Sequence, residues 1–161
     1  MNVIRQSVMK YLVAQLLLLP FLVGCDIGIT VHDENRAAEL VVDFLSGLKS
    51  EKGRQLAYDW TDNSYKDEVS FGEFTRIVFF IRDKNKRADI KLVGYEIFGP
   101  EETINIYASS EVAESKMYFK LSLVGTKHKD YYLSNLNTND SEFKKNGIYR
   151  AYRKPIIVQG V

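Results

Sequence analysis

Apolar residues at Ala37, Leu40, Val41, Phe44, Leu45 and Leu48 recur at intervals of three and four, the period of a helix that buries one stripe, and Asp33 stands where an N-cap belongs. Ser50 opens a second helix that carries Leu56, Ala57 and Trp60 inward, and the polar run from Thr61 to Glu68 ends it. Ser70 with Glu73 forms a capping box ahead of Phe71, Phe74, Ile77, Val78 and Ile81, which predicts a third helix. Beyond Lys84-Asn85-Lys86-Arg87 the period falls to two. Ile90, Leu92, Tyr95 and Ile97 predict one strand, and Gly99-Pro100 turns the chain. Ile104, Ile106 and Ala108 predict the next, then Met117, Phe119, Leu121 and Leu123, and a final strand runs from Tyr131 to Leu136 after the loop at residues 125–130. Helices followed by about four antiparallel strands make an α+β domain, with the N-terminal helices packed on one face of a curved sheet.

A chain of 161 residues holds one such domain. Lysine and arginine number 22 against 21 acids, so no overall field draws the protein to nucleic acid. The lone cysteine, Cys25, excludes an internal disulfide and a multi-thiolate zinc site. No phosphate loop, nucleophile elbow, His-Glu-x-x-His pair or calcium loop occurs, and no cofactor, metal or catalytic residue is assigned.

The amino terminus carries a different pattern. Arg5 and Lys10 precede an apolar stretch of 13 residues, Tyr11 to Val23, broken only by Gln15 and a proline. A membrane-spanning helix takes about 20. A basic start, a short apolar centre and a small residue before the cut are the parts of an export signal. Leu22-Val23-Gly24-Cys25 resembles the bacterial lipobox, which implies lipid on the Cys25 thiol, cleavage ahead of it, and a protein held on a membrane by its acyl chains. Asp26 resembles the signal that retains enterobacterial lipoproteins in the inner membrane; Ile27 beside it weakens that match. Loss of residues 1–24 removes Arg5 and Lys10 and no acid, taking the formal charge from +1 to −1. The organisation is then a signal peptide over 1–24, a lipidated tether over 25–33 with His32 solvated in it, the α+β domain over 34–138 and a basic segment over 139–161.

Ala57-Tyr58-Asp59-Trp60, the polar stretch with Tyr65 and Lys66, Ser70 through Phe74, and Asp130-Tyr131-Tyr132-Leu133-Ser134 resemble, in order and wording, the nuclear transport factor two-like superfamily of cone-shaped domains. The resemblance covers about residues 34 to 138. It implies a pocket between sheet and helices, used across that superfamily for catalysis, small-molecule binding or protein docking, so activity must be argued from the site. Asp59, Asp62 and Asp67 are the acid candidates and Tyr58, Tyr95, Tyr107 and Tyr118 the pocket candidates; capping and ring packing are the ordinary explanation of each. His128, beside Lys127 and Lys129, reads as a solvated turn residue.

Lys144, Lys145, Arg150, Arg153 and Lys154 interleave with Phe143, Tyr149 and Tyr152, a composition that suits an anionic membrane surface, although a solvated tail with one extra strand at residues 148–152 is the more ordinary reading. The expectation is a non-enzymatic envelope lipoprotein that binds or positions an envelope protein partner. A pocket enzyme or carrier for a small apolar molecule, and an immunity or exclusion lipoprotein, stand as alternatives. Nucleic acid is not an expected partner.

Overall fold

The computed structural model describes residues 30–98, 101–112 and 115–160. Four helices, α1 (Glu34–Gly47), α2 (Glu51–Asp59), α3 (Asn63–Glu68) and α4 (Phe71–Asn85), precede five strands. The strands are β1 (Ile90–Ile97), β2 (Thr103–Val112), β3 (Ser115–Thr126), β4 (Lys129–Asn139) and β5 (Ile148–Val158). This is the α+β order that the periodicity predicts, with one helix and one strand more.

Each helix starts where a short polar side chain takes up its first free N–H groups. Asp33 accepts from Arg36, Ser50 from Gly53 and Asp62 from Tyr65. Ser70 and Glu73 complete a reciprocal capping box. The polar run after Trp60 therefore does not simply end α2. Its single buried residue, Tyr65, gives no helical period to read, yet the Asp62 cap starts α3. Helix α4 ends without glycine, on Lys86 and Arg87 at φ of 45° and 60°. The Asn85 amide donates to the Ala88 carbonyl at 2.8 Å across this turn.

The sheet order is β4-β3-β2-β1-β5, with every neighbouring pair antiparallel. Residues 148–158, which the sequence placed in a basic segment beyond the domain, thus close the sheet on the free edge of β1. One sheet face, carrying Leu92, Tyr95, Ile104, Ile106, Phe119, Leu121 and Leu123, packs against Val41, Phe44, Leu45, Phe74, Val78 and Ile81 from the helices. These aliphatic and aromatic side chains fill the space between the two layers. Edge strand β4 is covered at its middle, where Asp62 N–H donates to the Leu133 carbonyl at 2.9 Å.

The opposite face is not open either. Between β4 and β5 the chain crosses it as a strap over residues 140–147, from the Asn139 end of the strands to Ile148, which pairs with Ile97. Central strand β2 is therefore buried on both sides: Asn105, Tyr107 and Ser109 face the strap.

Candidate functional site

The outward face is organised around Glu96. This carboxylate is 1% exposed. It accepts from the Tyr107 hydroxyl, from the backbone N–H of Asn146 and of Gly147, and from the Asn105 amide at 3.4 Å. Ser122 continues the network, donating to Asn105 Oδ1 at 2.7 Å. Burial pushes the Glu96 carboxyl up, but the hydrogen bonds from Tyr107, Gly147, Asn146 and Asn105 outweigh it and hold it below the usual carboxylate range. Tyr107 is pushed up by burial and then by the same carboxylate, so its phenol stays protonated as the donor. Glu96 ties the strap to the sheet, and its acceptor capacity is spent on donors of its own chain.

Beside this anchor a cavity of about 200 Å³ lies between strap and sheet. Tyr107, Ser109 and Tyr118 line it from the sheet, Phe143 and Lys145 from the strap, and Tyr149 from β5. The Lys145 ammonium sits 5.3 Å from the Tyr107 ring centre and 5.2 Å from that of Tyr149, while pairing with Glu142. Lys116 lies 5.2 Å over the Tyr118 ring and 3.6 Å from Glu111. The site is aromatic-walled, and both lysines that line it are paired with glutamates.

A second concavity, of about 240 Å³, runs between α1 and α2 and is lined by Leu40, Phe44, Leu56, Ala57 and Trp60 with Asp43 at its margin. The helices meet closely because Gly53 faces the Gly47 carbonyl, which a Cβ on Gly53 would approach to 2.1 Å. Leu56 is 62% exposed, correcting the inward position its spacing predicted. The turn at Gly47 and the tight crossing rotate it onto the rim.

The tether docks earlier than expected. The Lys127 N–H donates to the Val31 carbonyl at 2.8 Å. His32, predicted to be solvated, is only 7% exposed. Its Nε2 lies 3.2 Å from the Glu101 carbonyl, which can only accept, so Nε2 carries the proton. Its Nδ1 lies 3.4 Å from the Tyr131 hydroxyl, which also accepts the Asp33 N–H at 2.9 Å. A histidine in a polar segment shows no period, and nothing local announces partners 69 and 99 residues away.

The remaining candidates separate. Tyr58 donates to the Val69 carbonyl at 2.8 Å, and Tyr95 packs in the core, 5.6 Å from the Tyr152 ring centre. Asp59 accepts from Gln55, Asp62 caps α3, and Asp67 is exposed. His128 is exposed in the β3–β4 turn. Only Tyr107 and Tyr118 come together, and on the face opposite the helices. Of the basic residues, Lys144, Arg150, Arg153 and Lys154 are exposed and make no ion pair among the described residues, whereas Lys145 is engaged. Cys25 and Asp26 lie outside the described residues. Among the described residues no group of His, Cys, Asp and Glu is placed to hold a metal ion, and no helix is long and apolar enough to cross a membrane.

No protein-family model matches the chain, and neither a characterised protein nor a solved structure does.

Proposed function

We propose that this chain is a bacterial envelope lipoprotein, anchored through lipid on Cys25, that binds another envelope protein through the outward face of its sheet. The observation that carries the binding role is the contrast between the two faces. Apolar side chains fill the space between helices and sheet, while the strapped face presents an aromatic cavity to solvent. At about 200 Å³ that cavity falls below the roughly 300–1,000 Å³ of small-molecule sites and suits one anchoring side chain of a partner. The anchoring role rests on the basic, apolar and lipobox segments that end at Cys25, with Asp26 favouring retention in the inner membrane.

A photo-crosslinking residue introduced at Tyr118 in intact cells tests the reading, beside the same protein carrying Cys25→Ser. A discrete protein adduct is expected with the anchored chain and its loss with Cys25→Ser, while the mass of the mature amino terminus reports the lipid directly. A lipidated, folded protein that yields no adduct at Tyr118 would overturn the binding role. An amino terminus without lipid would overturn the anchor.

A further inference from the structure

We propose that the outward sheet face docks an acidic protein segment, which inserts one aromatic side chain beneath the strap. This deepens the binding role given above and rests on it. The first support is charge. Lys91 stands on this face opposite Ser109, Lys120 opposite Tyr107, and Lys144 projects from the strap. None of the three makes an ion pair among the described residues. Glu142 and Glu111 are taken by Lys145 and Lys116, and Glu96 is closed off by its own donors. A mature chain of formal charge −1 still shows a local cationic surplus around an aromatic cavity, which complements an acidic partner.

The second support is shape. Tyr107, Tyr118, Phe143 and Tyr149 wall a space the size of one ring, with the Ser109 hydroxyl on the sheet side to meet a polar tip. Ile157, 56% exposed beside Lys91, extends the apolar contact toward the sheet edge.

The third concerns the anionic membrane as a rival occupant. Docking of Val31 and His32 fixes the entry of the chain at the end of the sheet where β1 meets β2 and β3 meets β4. Five residues separate Cys25 from Val31, a reach of about 20 Å. Ser109 and Tyr118 lie six residues along their strands from Thr103 and Val124 at that end, about 20 Å from it. The cavity lies well along the strands from the point where the tether enters, and a membrane carries no side chain to fill it.

The test uses the full chain as purified from cells, held in nanodiscs of neutral phosphatidylcholine, with its amino-terminal mass recording lipidation independently. Random twelve-residue peptides displayed on phage are selected against it, and the enriched sequences are synthesised. The expected outcome is a set of net-negative peptides sharing one Phe, Tyr or Trp, whose binding weakens as salt rises. Replacing that aromatic with alanine should weaken binding about tenfold, and so should Lys91→Glu with Lys120→Glu and Lys144→Glu in a protein of unchanged circular dichroism. Selection without acidic preference, or acidic peptides indifferent to the charge reversals or to their own aromatic, would overturn the proposal. Attachment to discs containing phosphatidylglycerol that the same reversals abolish, with no peptide selected, would reassign the face to the membrane. Failure of either kind in a lipidated protein leaves the anchor intact and removes only the docking surface.

Discussion

Replacing Glu96 isolates what holds the strap. In Glu96→Ala the Tyr107 hydroxyl, the Asn105 amide and two strap N–H groups lose a common acceptor, and a cavity the size of the side chain is left. A buried donor left unsatisfied costs about 1–3 kcal/mol, whereas the strap amides, closer to solvent, regain water in part. Relief of the buried charge offsets some of the loss. The sum is about 3 kcal/mol, or roughly 10 °C in Tm for a domain of this size. Glu96→Gln keeps one acceptor oxygen but turns an amide N–H2 toward donors, and should lose about 1–2 kcal/mol. Because the folded carboxyl titrates below its unfolded value, the stabilisation is fully present above the unfolded pKa of about 4.3 and is lost as pH falls through the lower folded value. The wild type and Glu96→Gln should therefore converge in acid. Urea unfolding from neutral pH downward gives the stabilities, and hydrogen exchange at Asn146 and Gly147 reads the strap itself. A loss under about 0.5 kcal/mol in Glu96→Ala, with both amides still protected, would refute the argument.

Other positions test separate links. Gly53→Ala drives a Cβ into the Gly47 carbonyl and should destabilise by about 2 kcal/mol or more, whereas Gly72→Ala, with open space and a helical backbone, should be neutral or add up to about 1 kcal/mol; thermal melts of the pair check both. Lys86→Gly relieves a left-handed side-chain conformation at the end of α4 and should stabilise by about 1 kcal/mol in urea unfolding. Tyr131→Phe removes the hydroxyl shared by Asp33 and His32 and should cost about 1 kcal/mol, with proteolysis near residue 32 rising more than global unfolding.

The elements that the sequence announces are those whose signals are local. Caps at Asp33, Ser50 and Ser70, the helical stripe from Ala37 to Leu48, and the alternation through β1, β2 and β3 each lie within a dozen residues, and the structure realises them. Helix α3 escaped because one buried tyrosine makes no period. Strand β5 was legible only in part, since its burial does not alternate: as an edge strand it is exposed along most of its length, and Tyr152 to Pro155 stand opposite the bulge at Val93. Pro155, Arg153 and Lys154 in that bulge also blunt the edge against pairing with another chain.

The candidate site was hidden for a related reason. In an alternating strand the polar phase reads as solvated, so Glu96, Asn105 and Ser109 give the pattern of a wet outer face. They are buried because residues 140–147 return across the sheet, and no local rule places a strap with one partly buried aromatic, Phe143, over a particular strand. The clue lies in chemistry: a glutamate flanked by Tyr95 and Ile97 needs donors if it is covered, and the consecutive N–H groups of Asn146-Gly147 are such donors. What distinguishes the outward face is therefore a long-range closure. It buries a polar network to hold the strap and leaves Lys91, Lys120 and Lys144 around the aromatic cavity that the strap creates.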